Sequence, residues 1–175
     1  MQIIGDTQKK LIEAFRMQLE DGKFVIKDDS SEIARLRVQF VNGIVEHGYI
    51  DTYKQNEIDH YIISIGLFNG DATTFNHELA HYYIRRFKDS KLVQTALDEY
   101  AKKGMSIDQI EEALVDAITE RSIQNQWGSN LENQSFFHKF WYGFNNMLYK
   151  VFNIKTQTHR DYISDQITKS FMVNR

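Results

Sequence analysis

The spacing of hydrophobic positions changes character once along this chain, near residue 70. Before that point apolar and β-branched residues come in short runs, and after it they recur at helical spacing over long segments. Residues 6–20 begin with a helical pattern. Asp6 or Thr7 can cap it, Leu11, Ile12, Phe15, Met17 and Leu19 form a partial apolar face, and Asp21-Gly22 is expected to stop it. Three β runs follow: Phe24-Val25-Ile26, Ile33 to Val41, and Ile44 to Tyr53. Asp28-Asp29-Ser30-Ser31 separates the first two. Asn42-Gly43 separates the next two, and Asn-Gly between such runs predicts a hairpin. A fourth strand is expected from His60 to Phe68, ended by Asn69-Gly70-Asp71.

Helical spacing then predicts helices from Thr73 to Phe87, from Lys91 to Lys103 before Gly104, over 107–125 behind a Ser106 cap, and one or two more within 131–175. Strands first and helices afterwards predict an α+β domain. Its N-terminal helix and mixed or antiparallel sheet would occupy 1–71, the helices of the candidate site 72–125, and the C-terminal helices 126–175. No internal repeat or low-complexity tract interrupts this order.

Length and composition narrow the chemistry. A chain of 175 residues with 42% hydrophobic and 26% charged residues reads as one globular domain rather than a disordered segment. The absence of cysteine excludes disulfides, thiolate metal sites and a thiol nucleophile, so any metal must be held by His, Asp or Glu. A net charge of −3 and a pI near 6.1 leave no electrostatic footprint for nucleic acid. No apolar run reaches the roughly 18 residues of a membrane span. Met-Gln-Ile-Ile-Gly-Asp lacks the basic and apolar regions of a signal peptide, so the expected location is cytoplasmic.

One motif carries chemistry. Residues 77–81 are His77-Glu78-Leu79-Ala80-His81, the arrangement H-E-x-x-H. On a helix, His77 and His81 project from one face about one turn apart, where two imidazoles can hold one Zn²⁺. Glu78 is offset by about 100° from His77 and suits a general base rather than a ligand. Phe75, Leu79, Ala80, Tyr82, Tyr83, Ile84 and Phe87 make the helix apolar nearly all round, hence buried, and buried polar groups need partners. The strand over 60–68 is expected beside this helix, its edge open to an extended peptide.

A catalytic zinc needs a third protein ligand and an open position for water. The pattern H-E-x-x-H-x-x-G-x-x-H is excluded, because Ile84 and Phe87 stand where glycine and histidine would be. Two alternatives are open: a distant histidine, His138 or His159, or a glutamate on a later helix. In Glu111-Glu112-Ala113-Leu114-Val115-Asp116, Glu112 and Asp116 share a face. Glu112 can complete the site, and Asp116 can accept the free ring N–H of a ligand histidine, His77 for preference. Glu111 competes as ligand but has Val115, not an acid, one turn later, and its face is expected to turn away from the pair. Periodicity alone puts Glu112 and Asp116 opposite the apolar stripe of Ile107, Ile110, Leu114, Ala117 and Ile118.

His77-Glu78-Leu79-Ala80-His81 followed by Glu112-Ala113-Leu114-Val115-Asp116 resembles the gluzincin class of zinc metallopeptidases, with its H-E-x-x-H and E-x-x-x-D motifs. The resemblance covers about residues 60–120, and the short interval between motifs is similar to that of compact members encoded by phages and mobile elements. The segment from Phe140-Trp141-Tyr142 to Val151-Phe152-Asn153-Ile154 is similar to aromatic-basic helices that follow such domains. The resemblance implies a zincin-like fold and one Zn²⁺ per chain on His77, His81 and Glu112. It further implies Glu78 as general base, Asp116 behind a ligand histidine, and a peptide or protein substrate. No motif identifies the oxyanion-stabilising histidine or tyrosine of thermolysin-like members; His138, His159 and several tyrosines are unranked candidates.

Residues 136–152 form an amphipathic pattern, with Phe137, Phe140, Trp141, Phe144, Leu148, Val151 and Phe152 opposite His138, Lys139, Asn145, Asn146 and Lys150. Such a helix can bind a membrane surface or a partner, but packing on the domain's own core is the favoured expectation. His47 and His60 read as structural, and Arg85-Arg86 as a solvated face. The leading expectation is zinc-dependent peptide hydrolysis, either broad or directed at one repressor. The alternative is a catalytically silent protein on a metallopeptidase scaffold that binds a partner or builds a phage particle.

Overall fold

Arg16 sets the end of the first helix. Its left-handed φ of 53° breaks the helical path, and Met17 N–H reaches back to Ile12 O at 2.8 Å. The structure, a computed structural model, describes residues 5–42, 47–67, 70–124 and 134–154. Helix α1 accordingly spans Asp6–Ala14 rather than 6–20, and the chain turns at once into β1 (Gln18–Glu20). Asp21 and Gly22, expected as a helix stop, have φ of 49° and 77° and form the turn of a tight hairpin with β2 (Lys23–Asp28). Aspartate and glycine tolerate the two positive φ angles of a I′ turn, so this dipeptide favours a hairpin over a helix end. Leu19, counted in the helix's apolar face, is exposed on the strand.

Three longer strands complete the sheet: β3 (Ala34–Val41), β4 (Gly48–Gln55) and β5 (Ile58–Gly66), in the order β1-β2-β3-β5-β4. The β4–β5 hairpin closes at Asn56-Glu57, both at positive φ, and β5 runs parallel to β3. Asn42-Gly43 therefore does not join paired strands, because β5 lies between β3 and β4; residues 43–46 fall outside the described part. The physical reason is burial. Residues Tyr61 to Ile65 of β5 are apolar on both faces apart from Ser64, which suits an interior strand, whereas β4 carries Asp51, Lys54 and Gln55 and tolerates the edge.

Ala34, Leu36, Val38 and Phe40 of β3 share one face with Tyr61, Ile63 and Ile65 of β5 and with Phe24 and Ile26 of β2. Helix α2 (Ala72–Arg86) packs on that face, followed by α3 (Lys91–Tyr100), α4 (Ile107–Gln124) and α5 (Gln134–Phe152). This is the α+β arrangement expected, a five-stranded mixed sheet with five helices among the described residues. The apolar face of α5 belongs to the core: Phe140, Phe144, Leu148 and Phe152 are buried, and Tyr83 meets Phe140 and Phe144 edge-on at 5.3 and 5.4 Å. Those four side chains are thus engaged by the domain's own core. His159 and the side chain of His138 lie outside the described residues. No described helix is long and apolar enough to cross a membrane.

The start of α2 is fixed by a reciprocal cap. Asp71 accepts from Thr74 N–H at 2.9 Å, and the Thr74 hydroxyl accepts from Asp71 N–H at 3.4 Å. Asp71→Ala is expected to lower unfolding free energy by about 0.5–2 kcal/mol. A urea midpoint equal to wild type would show that packing alone holds this end of the helix.

Candidate metal centre

The apolar sides of α2 decide which way the motif faces. Tyr82 meets Tyr61 of the sheet, Phe75 and Tyr83 meet Phe152, Phe140 and Phe144 of α5, and Leu79 is fully buried, which turns His77 and His81 toward α4. On α4, Leu114, Val115 and Ile118 are buried, so the adjoining face with Glu112 and Asp116 borders both solvent and α2. Ile107, expected in the apolar stripe, is exposed. The Glu112 side chain is 51% exposed and still reaches both imidazoles. Its Oε1 lies 3.1 Å from His77 Nε2, and its Oε2 lies 3.0 Å from His81 Nε2. The two rings stand 4.9 Å apart, and one donor atom from each of the three residues falls within 4.8 Å of the others. Asp116 Oδ1 is 3.9 Å from His77 Nδ1, on the expected side but beyond hydrogen-bond length.

Glu111 departs from the expectation that its face turns away. Its side chain is 13% exposed, and Oε1 pairs with His81 Nδ1 at 2.7 Å while accepting from Arg85 Nε at 2.8 Å. Arg85 Nη1 in turn donates to Thr52 Oγ1 on the edge strand β4 at 3.3 Å. Arg85, read from the sequence as solvated, therefore links β4 to the carboxylate behind His81. The available signal was spacing: Arg85 stands four residues after His81 and shares its helix face.

Glu78 points to the other side of the cluster. It is 6% exposed, and its Oε2 has no hydrogen-bond partner. With His77, Thr74 and Gly48 it lines a cleft of ≈570 Å³ between α2 and the start of β4. Glycine at 48 permits this approach, because a Cβ there would stand 2.7 Å from Thr74 Cγ2 and 3.0 Å from Ser64 O. His47, read as structural, lines the same cleft; His60 stacks on Tyr53 at 4.6 Å and takes no part.

Burial and neighbouring charges set the protonation tendencies. Burial pushes the Glu78 carboxyl up, with His81 and Arg85 opposing and Glu112 adding to the rise. Burial and then His81 lower the pKa of His77, against the pull of Glu112 and Asp116. Burial also disfavours charge on His81, but its hydrogen bond to Glu111 and the nearby carboxylates outweigh that and raise its pKa. Glu111 is held below the usual carboxylate range, because hydrogen bonds from His81 and Arg85 outweigh its burial.

Two ligands of one tetrahedral Zn²⁺ at ~2.0–2.1 Å would sit about 3.3 Å apart. Glu112 approaches the two imidazoles through different oxygens at 3.1 and 3.0 Å, one donor atom from each residue lies within 4.8 Å of the others, and two imidazoles with a carboxylate form a zinc-type donor set. The residues present fit the ion. Family models, curated proteins and solved structures were all compared with the chain, and none matches it.

Proposed function

We propose that this chain is a zinc-dependent peptidase of the gluzincin type, with His77, His81 and Glu112 as ligands and Glu78 as general base. The observation that carries the reading is the position of Glu78. A buried carboxylate with a partnerless oxygen adjoins a His-His-Glu cluster and faces an open cleft. An unsatisfied buried carboxylate oxygen is costly, and structures retain such groups where they have work to do. Zn²⁺ held by the cluster would supply Lewis acidity to a scissile carbonyl and to a nearby water. Glu78 takes a proton from the attacking water and passes it to the departing amine. Glu111 holds His81 through Nδ1, leaving Nε2 directed at Glu112, and Arg85 keeps Glu111 ionised.

Substrate in this reading lies along β4. Strand β5, whose edge was the expected site, is paired on both sides, whereas β4 ends the sheet and flanks the cleft. Its outer backbone groups can take an extended peptide as an added strand. Protein purified without a histidine tag is expected to carry one equivalent of zinc and to hydrolyse unfolded, carboxymethylated lactalbumin. Activity should vanish with phenanthroline and return with added zinc. A wild type that holds zinc but cleaves no unfolded protein would remove the peptidase reading and leave a metal-binding scaffold.

A further inference from the structure

The face of α2 opposite the histidines borders a second cavity of ≈440 Å³, closed by the β2–β3 loop, the start of α3 and the flank of α5. From Arg86, Tyr83 and the apolar wall around them we infer a binding site for a small organic carboxylate with an apolar body. Arg86 is half-buried, and its guanidinium donates to Ser31 Oγ at 3.3 Å and lies 5.0 Å from the centre of the Phe87 ring. Among the described residues no carboxylate lies within ion-pair distance of it. Asp28, the acid on the cavity lining, is instead engaged by Ser30 N–H at 3.1 Å and Ser30 Oγ at 2.6 Å. A partly desolvated guanidinium without a counter-ion favours an anion, and its planar fork matches a carboxylate. Lys150 at the rim adds a second positive charge.

Tyr83 adds a polar group to the cavity wall. It is 5% exposed and lines the cavity, and its hydroxyl has no hydrogen-bond partner among the described residues. The hydroxyl approaches α5 at Gly143, where a Cβ would stand 2.6 Å away. The hydroxyl oxygen itself is not fully buried, so a ligand oxygen can reach it. Phe87, Leu92 and Met147 form the apolar wall, so a bare inorganic anion would leave most of the cavity unfilled. This site is independent of the proposed hydrolysis, because it lies on the opposite face of α2 and shares no residue with the metal cluster.

Titration calorimetry of the full chain with phenylbutyrate, phenylbutanol and inorganic phosphate tests the inference. Phenylbutyrate should bind saturably, one per chain, and at least about tenfold more tightly than either the neutral alcohol or phosphate. Arg86→Gln should remove the preference over the alcohol, and Tyr83→Phe should weaken phenylbutyrate a few-fold, with thermal unfolding confirming a folded chain in each case. The idea is overturned by no saturable phenylbutyrate binding up to about 10 mM, by equal affinity for acid and alcohol, or by indifference to Arg86→Gln. Phosphate binding as tightly as phenylbutyrate would also overturn it, because the apolar wall would then recognise nothing. If Arg86→Gln does not fold, the comparison of probes on wild type decides alone.

Discussion

Glu112→Ala is expected to remove nearly all zinc affinity, as are His77→Ala and His81→Ala. Each substitution takes away one of three converging donors, and among the described residues Glu112 is the one carboxylate within 3.1 Å of both imidazoles. It also brings negative charge to a site whose other two donors are neutral when they bind metal. The residues behind the ligands should matter less and unequally. Glu111 holds His81 Nδ1 at 2.7 Å, so Glu111→Gln is expected to weaken zinc by roughly 10–100-fold. Asp116, at 3.9 Å from His77, should have the smaller effect. Competition with a chromophoric chelator gives the order directly. If affinity ignored Glu112 and followed His138 or His159 instead, the ligand set and the gluzincin reading would both be wrong.

Glu78→Gln is the second large effect. The amide keeps the size of a side chain that is 6% exposed, but it cannot take a proton. Hydrolysis should fall by at least ~10²-fold, the low end for loss of a general base. Zinc content should stay at one equivalent, because Glu78 stands outside the converging donors. Glutamine at 78 that lost zinc along with activity would identify Glu78 as a ligand. Retained activity would assign the base elsewhere, and His47 in the cleft wall would be the next group to replace.

How far the fold was legible depended on the range of the interactions that decide each part. The helix bearing His77 and His81 was readable to within a residue at each end, because Asp71, Thr74 and the apolar spacing from Phe75 onward act within a turn or two. The helix expected over 6–20 was not. Its apolar spacing continued past Arg16, while the turn at Asp21-Gly22 recruited residues 18–20 into a strand. Asn42-Gly43 had the composition of a hairpin, yet Asn56-Glu57 closes the β4–β5 pair instead. Turn residues favour a local bend, but the pairing of strands also depends on which strand has two apolar faces to bury.

The sequence by itself determined the succession of a strand-rich part and a helical part, the exclusion of thiolate ligands, and the i, i+4 placement of two imidazoles with a carboxylate beside the first. These follow from local periodicity and residue chemistry. Only the tertiary structure decided that β4 is the edge strand, that one carboxylate of Glu112 spans both histidines, and that Glu111 with Arg85 stands behind His81. Glu111 and Glu112 are adjacent on one helix, and their roles divide only when α4 settles at a particular rotation and height against α2. Packing of Leu114, Val115 and Ile118 sets that rotation, and spacing within a single helix carries no record of where its neighbour lies.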